Sequence, residues 1–185
     1  GIPMIYWHFG NLQCIVAALF KSRISPREIM ARETIVKTFW ANPFDSDWLN
    51  SIQAGRFFTY TDAARGEIAA RLGFLKFTMK KKLVVIVGGQ KIMYRRPVRI
   101  FRRFKLVIRI RGWDDKWMYV SHYFEQHGEV ATVVFSKIGM RSSSGLYSPK
   151  KAMEELGYSH MAPEDRILKT FRDDLETLGS IADRM

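Results

Sequence analysis

The stretch 53-QAGRFFTYTDAARGEIAARLGF-74 decides the fold. Phe57, Tyr60, Ala64, Ile68 and Leu72 recur at intervals of three and four, which places them on one face of a helix. Gly73 supplies the stop signal. Before this helix, Glu33 to Trp40 ("ETIVKTFW") is rich in β-branched and aromatic residues and reads as a strand that Pro43 ends. After it, strand patterns follow one another. Leu83 to Val87 ("LVVIV") reads as a buried strand, Gly88-Gly89 as a bulge or bend, and Lys91 to Tyr94 as its continuation. Phe104, Leu106, Ile108 and Ile110 alternate with Arg103, Lys105, Val107, Arg109 and Arg111, giving a strand with one apolar and one basic face. Gly112 to Asp115 makes a turn, Lys116 to Phe124 a strand, Gln126 to Glu129 a hairpin turn, and Val130 to Ile138 the last strand. Ser142 to Gly145 reads as a short polar loop. Ser148 then caps a helix with Pro149 at its first position, and Gly157 ends it. A final helix is expected from about Pro163 to Leu178. One long helix among antiparallel strands predicts an α+β fold, an antiparallel sheet wrapped around one buried central helix, with extra N- and C-terminal helices.

The 185 residues suit one principal domain with a sizeable core. The expected division is a helical leader over 1–29, the sheet-and-helix domain over 30–158 and a helical extension over 159–185. One cysteine, Cys14, excludes an internal disulfide, and the four histidines show no metal-ligand spacing, so no metal site is expected. The net charge of +12 points to an anionic partner: nucleic acid, a membrane surface or a phosphate-bearing small molecule. Much of it lies in the run Arg95, Arg96, Arg99, Arg102, Arg103, Lys105, Arg109 and Arg111. That stripe fits the solvent face of a strand, a landing strip for CoA phosphates, an anionic membrane or RNA. RNA rests on charge alone, because no nucleic-acid motif accompanies the stripe, and it ranks last.

Met4 to Phe20 is apolar but short for a membrane span, and Lys21, Arg23 and Arg27 follow it. It fits a helix packed on the domain or its partner, an interfacial membrane helix, or an anchor. No secretory cleavage pattern is visible. The compartment expected is the cytoplasm or an organelle matrix, with membrane association through residues 4–20.

Two blocks resemble a known family. Asp45 to Glu67 ("DSDWLNSIQAGRFFTYTDAARGE") is similar to the Asp-x-Asp loop and central helix of the thioesterase-like branch of the hot-dog fold, related to the 4-hydroxybenzoyl-CoA thioesterases. Phe104 to Phe124 carries that branch's Gly-Trp-Asp-Asp-Lys turn, and Tyr147 to Gly157 resembles its closing helix. The resemblance spans roughly residues 30–158. It implies hydrolysis of acyl thioesters on CoA or a carrier, in a homodimer or homotetramer with sites at the dimer interface and no cofactor beyond the CoA thioester itself. Asp47 stands at the family's catalytic carboxylate. The chain then departs from the pattern: where the family continues with a Gly-His-Met-Asn-Asn-like run, it has Asn50, Ser51, Ile52, Gln53 and Ala54, and Phe57 replaces a tyrosine.

Thioester hydrolysis needs a base or nucleophile and a place for developing negative charge. Asp47 is the catalytic candidate, and Asp45 is expected to raise its proton affinity by like-charge repulsion. The helix N-terminus near Gln53 to Gly55 is the candidate oxyanion site. Asn50, Ser51, Gln53 and Ala54 are the candidate substrate-binding residues. The competing expectation is a non-catalytic hot-dog subunit for acyl binding or assembly, its pocket filled by Trp48, Ile52 or Phe57. His122, on the apolar face of its strand, is expected to be a core residue, and Asp62 a solvated or ion-paired one.

Overall fold

The computed structural model describes residues 35–171. The leader expected over 1–29 and the end of the final helix lie outside the described residues. Strand β1 (Ile35–Trp40) leads through a turn of 3-10 helix at Pro43–Asp45 to helix α1 (Arg56–Arg71) and the short helix α2 (Phe74–Lys80). Four strands follow, β2 (Val84–Tyr94), β3 (Arg103–Trp113), β4 (Met118–Gln126) and β5 (Glu129–Ser142), then β6 (Gly145–Tyr147) and helix α3 (Pro149–Glu155). The sheet is antiparallel in the order β1-β3-β4-β5-β2, with β6 folded back on β5. It curls around α1 in the hot-dog arrangement.

The alternating residues of β3 do what their pattern demands. Phe104, Leu106, Ile108 and Ile110 are buried against α1, while Arg103, Lys105 and Arg109 face water. From α1, Phe57, Ala64, Ile68 and the following Leu72 enter the same core, with Tyr60 packed at its margin. Phe57 meets Phe124 edge-on at 4.9 Å, and Tyr60 meets Phe104 at 5.1 Å, pairs that add to the burial of their area. His122 is indeed a core residue, wholly buried and level with Val134 of β5.

Four departures from the sequence expectation have physical causes. Helix α1 begins at Arg56, not Gln53, because Ile52 N–H pairs with the Val98 carbonyl and Gln53 N–H with that of Asp45, and the chain then turns through Ala54 and Gly55 before the helix starts. Gly73 ends α1 in the left-handed conformation (φ 76°), and the chain resumes as α2, which brings Phe74 into the core. The polar loop at 142–145 closes a hairpin that adds β6. Strand β2 runs through its expected bulge, with the register shift at Val87/Gly89, but it is not buried. It forms a sheet edge, and Val84, Val85 and Val87 face water.

Gly88 has a specific reason to lack a side chain. A Cβ there would sit 2.2 Å from the Trp117 ring, which occupies the space the bulge opens. On the outer face of the sheet, Trp117, Tyr119, Phe135, Ile167 and Phe171 form a second apolar cluster, covered by helical residues 165–171. No described helix is long and apolar enough to cross a membrane.

Candidate active site

The segment 42–55 crosses the end of the sheet from β1 to α1 and holds both acids of the Asp-x-Asp loop. They part company there. Asp45 closes the 3-10 turn, and its carboxylate reaches α1, accepting from Tyr60 Oη at 2.6 Å and pairing with Arg56 Nε at 3.1 Å. It is a strut between loop and helix. Burial and the adjacent Asp45 carboxylate push the Tyr60 phenol well above its usual range.

Asp47 faces the other way. Its Oδ1 accepts from the N–H of Leu49 (2.8 Å) and of Ser51 (3.0 Å), and the Ser51 hydroxyl lies 3.1 and 3.0 Å from its two oxygens. The Ser51 N–H is the largest influence holding Asp47 below the usual carboxylate range; desolvation opposes it, and the Ser51 hydroxyl, the Leu49 N–H and the Arg99 charge reinforce it. This reverses the expected effect of Asp45. With its neighbour turned onto Arg56 and Tyr60, Asp47 meets hydrogen-bond donors instead of a like charge, and donors favour the ionised form.

Asp47 lines a cavity of about 340 Å³. Buried Ile52, Phe57 and Val98 give it an apolar inner wall, and Tyr94, Arg95 and Arg96 stand exposed at its rim. Trp48, one of the side chains expected to fill such a pocket, points into solvent instead. The cavity therefore stays open beside Asp47. Tyr94 Oη donates to the Ala54 carbonyl at 3.4 Å and packs edge-on to Phe57 at 5.7 Å, so the rim is braced on the approach to α1.

The sequence candidates fall into two groups. Asp47, Ser51 and Ala54 meet at the cavity. Asn50 and Gln53 are exposed and do not line it; Asn50 takes a left-handed turn (φ 58°), and the Gln53 N–H is committed to the Asp45 carbonyl. Among the described residues, Ala54 and Gly55 make no backbone N–H bond within the protein, so of the stretch Gln53 to Gly55 it is these two, and not Gln53, that keep a donor. Of the other lining residues, Arg95 and Arg96 were visible in sequence only as part of a basic stripe, and Tyr94 only as the end of a strand. Their link to the Asp47 loop rests on the bridge between Ser51 and Arg99, a contact between residues nearly fifty positions apart that periodicity does not register.

Other polar residues have structural duties. The Asp114 carboxylate of the Gly-Trp-Asp-Asp-Lys turn accepts from the N–H of Lys116 and Trp117 and from Tyr119 Oη. Asp62 pairs with Arg65. The Arg65 guanidinium also reaches Thr61 and Ser136 (3.3 Å each), and burial pulls its pKa down to about 10. Burial, aided by Arg65, pushes His122 down to about 3, so it is neutral at physiological pH. No group of three or more metal-ligating side chains occurs among the described residues.

An antiparallel sheet curled around one long helix is the hot-dog fold. The chain belongs to the thioesterase-like superfamily, whose model matches residues 42–164. It is similar to Protein THEM6 of Drosophila melanogaster, 24% identical over 178 residues that cover 95% of this chain and 91% of that one. It is also similar to the thioesterase poxG of Penicillium oxalicum, 23% identical over 128 residues, 56% of this chain and 42% of that one. The chain thus spans less than half of that relative's length. Among solved structures, it matches the Staphylococcus aureus protein SAV2348, determined in complex with CoA, with a TM-score of 0.60 and 9% identity over 74% of this chain and 92% of that one.

Proposed function

We propose that the protein hydrolyses acyl thioesters, with acyl-CoA as the substrate class and Asp47 as the carboxylate that attacks the thioester carbonyl or directs water onto it. The observation that carries this reading is the open cavity with an ionised Asp47 in its wall. The N–H groups of Ala54 and Gly55, just ahead of α1, lie where the helix dipole favours negative charge, and they serve as the oxyanion donors. Ser51 orients Asp47. The acyl chain lies along Ile52, Phe57 and Val98, and Arg95 and Arg96 at the rim meet the CoA phosphates. The CoA complex of a protein with the same fold supports this choice of carrier. The reaction calls for no metal or redox cofactor, because the thioester is already an activated acyl group. Strand β2, at the edge of the described sheet and with its valines exposed, is the surface through which two copies associate.

The alternative of a non-catalytic subunit required a pocket filled by side chains, and the outward turn of Trp48 weighs against it. The deciding experiment is turnover of short, medium and long acyl-CoAs by the wild type and by Asp47→Asn, with thermal melts of both. Turnover that disappears in a stably folded Asp47→Asn protein is the expected result. Absence of turnover on every substrate by a folded, dimeric wild type would overturn the assignment.

A further inference from the structure

At the end of the sheet crossed by segment 42–55, five large apolar side chains stand in water: Trp40 is 56% exposed, Phe44 85%, Trp48 91%, Leu49 57% and Phe101 62%. They belong to two chain segments bonded into one surface. Ala41 N–H donates to the Arg102 carbonyl and Phe101 N–H to that of Ala41, Ile100 N–H donates to the Asn50 carbonyl, and Arg99 Nη1 donates to that of Leu49 at 2.8 Å. Phe101 holds a left-handed backbone (φ 59°), unfavourable for any residue with a side chain. Large apolar side chains gathered in water at one end of a folded domain mark an interaction site.

The charges around the patch say what it meets. Arg99, Arg102 and Arg103 are exposed among these residues, with Arg95 and Arg96 beyond them. The acids nearby are largely engaged: Asp45 on Arg56 and Tyr60, Asp47 in its turn, Glu129 on Arg96. Glu125, half-buried on the neighbouring strand, is the remaining one. His127 faces Arg102 at 3.1 Å. The patch is therefore aromatic at its tips and cationic around them.

We propose that this end of the molecule docks on the surface of an anionic lipid bilayer, with Trp48, Phe44, Leu49 and Phe101 entering the interface and the arginines meeting lipid phosphates. A second copy of the chain fits poorly, because a twofold contact would set arginines against arginines. Residues 4–20 carry no acid to neutralise the patch. No nucleic-acid-binding motif accompanies these residues in the sequence. The proposal does not rest on the thioesterase assignment, but docking would bring the mouth of the Asp47 cavity against the headgroups.

The test is co-sedimentation of the full chain with vesicles of phosphatidylcholine alone and of phosphatidylcholine with phosphatidylserine. The wild type is expected to bind the anionic vesicles, more weakly as salt rises. Phe44→Ser/Trp48→Ser should lose about tenfold or more of that binding. Arg102→Gln/Arg103→Gln should lose roughly fivefold per arginine and much of the salt dependence. Met79→Ser, an exposed methionine in α2, should bind like wild type. Brominated lipid should quench tryptophan fluorescence less in Trp48→Phe. Wild-type binding and quenching in these variants would overturn the proposal, since residues 4–20 would then carry the membrane contact. Conversion of a dimer to a monomer by Phe44→Ser/Trp48→Ser without vesicles would also overturn it, as would binding of a single-stranded oligonucleotide that the same variants abolish.

Discussion

Two turns in this molecule present an aspartate to its own backbone in nearly the same way. Asp47 accepts from the N–H groups two and four residues on, and Asp114 from those two and three residues on. Each also accepts from a hydroxyl, Ser51 in the first turn and Tyr119 in the second. The surroundings differ. Asp114 is half-buried like Asp47, but it stands in a crowded turn: Gly112, two residues before it, lies so near the chain at Ala162 and Pro163 that a Cβ there would come within 2.6 Å of the Pro163 nitrogen. Asp47 has open space in front of it, walled by apolar residues and rimmed by arginines. The lesson is that hydrogen-bond chemistry within a turn does not mark a functional carboxylate. The space beside it does.

That contrast breaks most sharply under substitution. Asp47→Asn should lower kcat by roughly 10²–10⁴-fold, the usual range for losing a catalytic proton acceptor or nucleophile, with little change in melting temperature. Asp114→Ala should do the reverse, leaving activity near wild type while costing about 2–3 kcal/mol in denaturant unfolding through the loss of its three hydrogen bonds. Equal loss of activity in both would remove the distinction. Next in size, Gly112→Ala should cost about 2–4 kcal/mol, combining a φ of 122° with the clash against Pro163, again without changing the pH profile of catalysis.

A smaller effect sharpens the electrostatics of the open turn. Ser51→Ala removes the hydroxyl that favours ionised Asp47, so the acid limb of the pH–rate profile should move to higher pH, by less than about one pH unit. A shift to lower pH would mean that Ser51 does not stabilise the carboxylate.

His122 gives a control away from both turns. Its folded pKa lies below its ordinary value of 6.5, near 3. The fold therefore prefers the neutral ring, and the unfolded chain takes up the extra proton as pH falls. Stability should decline from about pH 6.5 downward, by at most about 1.4 kcal/mol per pH unit. His122→Leu should flatten that part of the stability curve, as read by urea unfolding across pH.

The sheet around a helix was legible because its signals are periodic. Strand β3 alternates from Arg103 to Ile110 except at Val107, which is also buried, and the stripe from Phe57 to Leu72 repeats at helical spacing. Strand β2 was misjudged for a definite reason. An apolar run of valines describes a side chain's preference for burial, not whether a neighbour provides it, and at this sheet edge none of the described residues does. The start of α1 was set by two long-range hydrogen bonds that a propensity argument does not contain. At the site, Asp47 was recognisable from its loop. The rim at Tyr94 to Arg96 was not, because it arrives from another strand.

The strand order carries a consequence for how the chain forms. Strands β3, β4 and β5 pair with their immediate successors, so they close cheaply and early. Strand β1 must wait for β3, a separation of about seventy residues from Ile35 to Ile108, and β2 must wait for β5. During synthesis, β1, α1 and β2 leave the ribosome before the meander that receives them. Until β5 emerges, Phe57 and its neighbours on α1 have no sheet to cover them. The segment that positions Asp47 is thus made early but shaped late, and its folding rate should track the stability of β3 to β5 rather than its own.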